Sequence, residues 1–383
     1  MSTKSFNAVV LSALSACMLV PTIAHAAEIT STKEFNISKT STPALSGTGS
    51  KTATKSANTV FNQFDASKGV LTGVSISAET KKGSQNNSVS VTYDKNTSSG
   101  TTTSTVKSTV GLSAVGASNN AVSTGQATAT CTTSNSWGVK SANCGNGPAY
   151  TTIDTTARVS SSGSVASSVS TSVEANKLND YVGNKTVTVK ETLTVESSNE
   201  GAINKATVST SADAAWMGET TLSYIYQDHA KAVLEGATDG TLNLDFGSFY
   251  LGDTVDSLGF SLFNLFGDRV ALSLIGFTET GDANDQFGTN LFTFDGLSAG
   301  SSKLFEADFA GNAVGKYSAS YQLTFADYAP GAASKTLHSG STLTLNLFGE
   351  VMAKPNEVPE PASLMLLGLG AVAFGVSRKR RQG

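Results

Sequence analysis

From residue 28 to about 228 the chain alternates Ser or Thr with Val, Ile or Tyr. Val89, Val91 and Tyr93 share one phase, Val187, Val189, Leu193 and Val195 share another, and Leu222, Tyr224 and Tyr226 close the region. Successive side chains of a strand point to opposite faces, so this period of two predicts half-buried β-strands. Clusters of Gly, Asn and Ser at 82–88 and 144–148 read as the turns between them. The stretch 98–133 is so rich in small hydroxyl residues that it buries little apolar area, and the pattern leaves it open between strand and mobile coil.

Beyond residue 240 the alternation becomes more aromatic. Segments 242–249, 257–264, 270–277, 303–309, 317–325 and 342–351 read as strands at the spacing of a β-sandwich, separated by glycines and Asp-containing turns. No window of ten residues carries a helical period. Residues 27–230 hold 15 Lys and Arg against 14 Asp and Glu, whereas 231–353 hold 5 against 14. Three Phe lie in the first span and 13 in the second, which points to a denser aromatic core there. The expectation is an all-β protein of two β-sandwich domains, immunoglobulin-like or jelly-roll-like, spanning 27–230 and 231–353 with a boundary near 231–240.

Both ends differ from this body. Lys4, an apolar stretch over 6–20 and the small residues of Ala24-His25-Ala26 make residues 1–26 a signal peptide cleaved before Ala27. Leu14-Ser15-Ala16-Cys17 also fits a lipobox, although Met18-Leu19-Val20 continues the apolar run where a lipoprotein turns polar. In the tail, 354–383, an apolar segment over 362–377 precedes Arg378-Lys379-Arg380-Arg381. About 16 apolar residues make a helix of ~24 Å, short for a hydrocarbon core of ~30 Å, so the segment spans only marginally. The basic cluster favours the cytoplasmic side and leaves the body of the protein outside.

Pro359-Glu360-Pro361, the glycine-bearing apolar run and the terminal arginines together resemble the PEP-CTERM sorting signal. That resemblance implies recognition of Pro359, Glu360 and Pro361 by an exosortase, a membrane-embedded cysteine-type transpeptidase-like enzyme. It further implies a Gram-negative cell that makes exopolysaccharide, anchoring at the inner membrane through the tail, and removal of the tail during sorting.

Two weaker resemblances cover the middle. Phe64-Asp65-Ala66-Ser67-Lys68-Gly69-Val70-Leu71-Thr72-Gly73-Val74, with later strands near 178–189 and 220–226, is similar to the choice-of-anchor E domain. Asp245-Phe246-Gly247-Ser248, Leu251-Gly252-Asp253, Asn264, Leu297-Ser298-Ala299-Gly300-Ser301 and Gly315-Lys316-Tyr317-Ser318-Ala319 are similar to landmarks of the choice-of-anchor D immunoglobulin fold. Neither family supplies a catalytic residue to carry over, and both imply a structural or adhesive surface module.

Candidate chemistry is sparse. With Cys17 in the signal, the mature chain keeps Cys131 and Cys144, an even pair that reads as one disulfide in an oxidising compartment. A zinc site needs four ligands, and only His229 and His338 remain to supply imidazoles. Gly296-Leu297-Ser298-Ala299-Gly300 matches G-x-S-x-G, with Asp327 and His338 following in hydrolase order, yet the next residues look like a strand where a nucleophile elbow needs a helix. Asp282, Asn284 and Asp285 crowd oxygen donors that suit calcium, without an EF-hand pattern, and a solvated acidic turn is the plainer reading. Asp253, Asp256 and Glu279 are conceivable glycosidase carboxylates.

A net charge of -4 with 15% charged residues offers no basic surface for nucleic acid. The expectation is therefore a non-enzymatic surface or exopolysaccharide-matrix protein, structural or adhesive, without cofactor. Its rival is a secreted lectin or carbohydrate-active enzyme using the acidic face of the second domain.

Overall fold

The computed structural model describes residues 26–136, 139–145, 149–153, 155–282 and 285–355. Ala24, Asn284, the sorting residues Pro359, Glu360 and Pro361, and the apolar segment 362–377 lie outside the described residues. Among the described residues no helix is long and apolar enough to cross a membrane. The chain divides into two units. The first runs to Asp228 and takes in Gly267–Arg269 and Gly331–Thr336, and the second comprises the remainder.

The first unit opens with β1 (Ala27–Ser41), β2 (Leu45–Ser46), β3 (Gly49–Asn62) and β4 (Val70–Tyr93). Next come β5 (Ser99–Ala114), β6 (Ala117–Ser136), β7 (Val139–Cys144), β8 (Ala149–Ile153), β9 (Thr156–Gly163) and β10 (Ser168–Ser172). Two long strands, β11 (Thr186–Asn204) and β12 (Ala206–Gln227), complete it. One sheet has the order β1-β12-β4-β9-β8, with β10 on β4 and β2 on β12, and the other is β3-β11-β5-β6-β7. All their pairings are antiparallel, as the polar-out, apolar-in alternation requires of sheets with one wet face.

The core between these sheets has two apolar clusters. The larger gathers Phe35, Phe61, Phe64, Ile76, Leu112, Leu193 and Trp216, with Ala333 from the Gly331–Thr336 segment. Trp216 is fully buried, meets Phe35 edge-to-face at 4.5 Å and donates from its indole nitrogen to Thr80 Oγ1 at 2.8 Å. The smaller holds Val89, Val91, Tyr93, Ala127, Ala129, Val208 and the cysteine pair.

Along the strands, between these clusters, lies a buried polar layer. Asn87 on β4 donates to the Ser104 carbonyl on β5 at 2.7 Å, and the Ser104 hydroxyl donates back to Asn87 Oδ1 at 2.9 Å. Thr102 donates to Asn199 Oδ1, and Asn199 Nδ2 donates to the Gly47 carbonyl, each at 2.7 Å. A buried amide costs little once it is paired in this way.

One sequence expectation is overturned here, and one that the pattern left open is settled. The cluster 82–88 is no turn but the middle of β4, where Gln85 and Asn87 are both buried and Asn87 pairs across to the opposite sheet. The stretch 98–133 is a continuous hairpin of β5 and β6, paired from Gly100↔Cys131 to Ala114↔Ala117. Its hydroxyls face outward or into the polar layer, while Val106, Val110, Leu112, Ala127 and Ala129 supply the buried side.

The second unit comprises β13 (Ala232–Leu234), β14 (Thr241–Tyr250), β15 (Leu258–Asn264), β16 (Ala271–Thr280) and β17 (Phe287–Thr289). It continues through β18 (Phe294–Leu297), β19 (Ser302–Phe309), β20 (Gly315–Tyr328) and β21 (Ser339–Met352). Its sheets are β13-β15-β19-β17 and β14-β21-β20-β16-β18, with β14 parallel to β21. Phe260, Phe305, Phe309, Phe325, Leu262, Leu323, Leu345 and Leu347 fill the interior. The phenylalanines are not all interior, however: Phe266 and Phe292 are more than half exposed.

Candidate functional site

The cysteine pair is oxidised. Cys131 lies within β6 directly across from Cys144, the last residue of β7, and the disulfide joins them with Cα atoms 4.0 Å apart. Both are buried against the smaller apolar cluster, so the bond staples the β6–β7 hairpin to the core rather than offering an exposed reactive thiol.

The G-x-S-x-G stretch is a strand-to-strand turn. It joins β18 to β19 with no helix after it, so the strand-turn-helix frame of a nucleophile elbow is not formed. Its two glycines have a backbone reason to be there: Gly296 and Gly300 adopt φ of 77° and 75°, in the left-handed region. The turn is held by the fully buried Asn264. Asn264 Nδ2 donates to the carbonyls of Val270 and Leu297, its Oδ1 accepts the Lys231 amide, and its own carbonyl accepts the Gly300 amide at 2.8 Å.

Asp327 and His338 do meet, but as a backbone clasp. Asp327 Oδ2 accepts the His338 amide at 2.7 Å and stands 2.8 Å from His229 Nδ1, while Oδ1 accepts the Ala230 amide at 2.8 Å. The imidazoles of His229 and His338 stack at 3.6 Å. Because the Asp327 side chain is only 3% exposed, its carboxylate is one of the best-satisfied anions of the second unit. The hydrolase order had linked Asp327 with His338, but nothing in the sequence announced that His229 joins them.

Among the remaining acidic candidates Asp282, Asp253 and Glu279 have structural partners. Asp282 Oδ1 accepts the Gln286 amide and Oδ2 the Phe287 amide, at 2.9 and 3.0 Å, which closes the loop that also holds Asp285 at a φ of 49°. Among the described residues no three His, Cys, Asp or Glu are grouped to hold a metal ion. Asp253 accepts the Tyr250 amide at 3.1 Å and pairs with Lys354 at 3.8 Å. Glu279 lies across from Tyr321, whose phenol is pushed up by burial and then by the Glu279 carboxylate. Asp256 lies in the loop between β14 and β15, and Glu279 near the end of β16.

One unusual group escaped the sequence pattern. Glu191 is fully buried in β11, accepting the Thr59 and Thr220 hydroxyls on Oε1 at 2.6 and 2.7 Å. Burial pushes its carboxyl above the ordinary value of 4.5, and the two hydroxyls pull it partly back. Its inward phase was readable, since it falls between Val189 and Leu193 in the apolar register.

The C-terminus resolves the question of sorting. Residues 357–381 match the PEP-CTERM protein-sorting motif. That match marks the chain as an exported, membrane-anchored protein of a Gram-negative bacterium that is processed by an exosortase. No curated protein matches the chain. Among solved structures it is similar to the ASH/PapD-like domain of human CEP192 (PapD-like domain 7), with 13% identity over 33% of this chain and 87% of that one and a TM-score of 0.24. It is also similar to a protein named as membrane anchored from Corynebacterium diphtheriae, with 10% identity over 87% of this chain and 61% of that one and a TM-score of 0.14.

Proposed function

We propose that the exported body has a structural or adhesive role at the cell surface or in the exopolysaccharide matrix, and that it is not an enzyme. The observation that supports this most is strand length. β4 has 24 residues and β12 has 22, paired from Ala206↔Tyr93 to Gln227↔Val70 with register shifts at Met217/Gly218 and Ile225/Tyr226. Ordinary strands have about 5–6 residues, and one of 24 extends up to ~80 Å at ~3.3 Å per residue. Such ladders resist pulling along the chain, and in the first unit they leave few long loops on which catalytic groups are usually mounted. The outer face adds a hydroxyl surface, with Thr54 bonded to Thr194 and Thr103 to Thr128 across neighbouring strands.

The reading is tested by comparing cells that lack the protein with cells that carry it, scoring surface attachment and the mechanical strength of the matrix. Loss of either on deletion, restored by the chain with Ser298→Ala, supports a non-catalytic role. Unchanged attachment and matrix would refute it.

A further inference from the structure

We infer that the first unit carries a binding trough for an uncharged glycan chain, where β10 approaches the tip of the β5–β6 hairpin. The inference rests on the adhesive reading and gives it a ligand class. Two adjoining depressions of about 510 and 430 Å³ share Ser118, Thr171 and Ser172. Both are shallow and open to solvent, and together they form one surface trough along which an extended chain could lie.

Its lining selects the ligand. Ser75, Ser113, Ser118, Ser170 and Ser172 present hydroxyls that are not used in side-chain hydrogen bonds among the described residues. Each is both a donor and an acceptor, matching the dual character of sugar hydroxyls. Among the described residues none that lines either depression is cationic, and Glu174 places a carboxylate at one end, so phosphorylated, sulfated or uronate polymers are disfavoured. Apolar lining is limited to Ala114 and Ala117, too little to hold a hydrocarbon ligand.

The floor is fixed by bonds that leave those hydroxyls free. Asn119 Nδ2 donates to the Ser170 carbonyl at 2.6 Å, Thr171 Oγ1 donates to the Ser118 carbonyl at 3.4 Å, and the Glu174 amide donates to the Gly116 carbonyl at 3.0 Å. Gly116 has a φ of 67° at the hairpin tip, and a Cβ there would collide with Lys177. The same bonds argue against an added peptide strand, because the five-residue β10 spends its Ser170 carbonyl on Asn119.

The test uses the purified mature chain with cellohexaose as the uncharged probe and a galacturonate hexamer as the anionic one, both titrated calorimetrically. The expected result is binding of cellohexaose, no tighter binding of the uronate, and at least a tenfold loss of cellohexaose affinity in the S118A/S170A/S172A variant. A melting curve must show that this variant keeps its fold, and S172L, which fills the trough, gives a second reading if it does not. Cellohexaose binding that survives both variants would place the glycan elsewhere and overturn the trough while leaving the adhesive role standing. Absence of cellohexaose binding, tighter uronate binding, or displacement of cellohexaose by an extended Ser/Thr peptide would also overturn the trough. Loss of cell attachment in the gene deletion is read separately and bears only on the adhesive role.

Discussion

Glu191 Oε1 accepts the Thr59 hydroxyl at 2.6 Å inside the core of the first unit, while Oε2 has no hydrogen-bond partner among the described residues. No neighbouring charge offsets the burial of this carboxylate, whose shift comes from desolvation and is opposed only by hydrogen bonds. The folded state therefore prefers Glu191 protonated more than the unfolded chain does. As pH falls through the raised folded value towards 4.5, the folded state takes up a proton first and gains stability. Glu191→Gln should raise the neutral-pH melting temperature and flatten its rise on mild acidification. A variant with the wild-type pH slope would contradict this.

Removing the disulfide should loosen one end of the first unit. Cys131 and Cys144 close a loop whose entropic contribution is ~3 kcal/mol in the chain-entropy account. The C131S/C144S variant should melt lower by roughly 5–10 °C for a unit of this size. Hydrogen exchange should accelerate in β6 and β7 before β11 and β12, and uniform acceleration would contradict a local staple.

Gly218 of β12 sits opposite the bulge that Lys81 makes in β4, and a Cβ there would run into the Glu79 carbonyl oxygen and the Phe35 ring. Gly218→Ala should cost roughly 1–3 kcal/mol by overpacking, read as a lower urea midpoint with an unchanged slope.

In the second unit, Asp327→Ala would strip the acceptor from the backbone amides of Ala230 and His338 and from the ring of His229. The expected cost is roughly 1–3 kcal/mol, with early exchange at Ala230 and His338. Ser298→Ala should leave stability and any glycan binding unaltered, because the motif's backbone role belongs to Gly296, Gly300 and Asn264.

Much of this architecture was legible because antiparallel sheets with one wet face write their burial into the chain as a period of two. Val89, Val91, Val187, Val189 and Leu193 all occupy the inward phase. The six longer strands of the second unit were legible for the same reason, to within a few residues at their ends, whereas the short β13, β17 and β18 were not, being too brief to show a period. The stretch 82–88 was not, because Gln85 and Asn87 are polar and buried, and Asn87 is accommodated only through Ser104 on another sheet. Long-range convergence was equally hidden. No local pattern shows that Ala333 joins the core of the first unit, or that His229 stacks on His338. Composition also misled where it put 13 phenylalanines in the second span, since a residue type does not say which copies remain at the surface.

The account stands most directly on the sorting tail. Deleting residues 359–383 and following the protein through membrane, surface and medium fractions tests it in one experiment. The expected result is loss of the membrane-associated form, release of the body, and an intact mass for the exported wild-type protein that lacks the tail. A truncated chain distributed as the wild type, with the full-length tail still present on the exported protein, would contradict it.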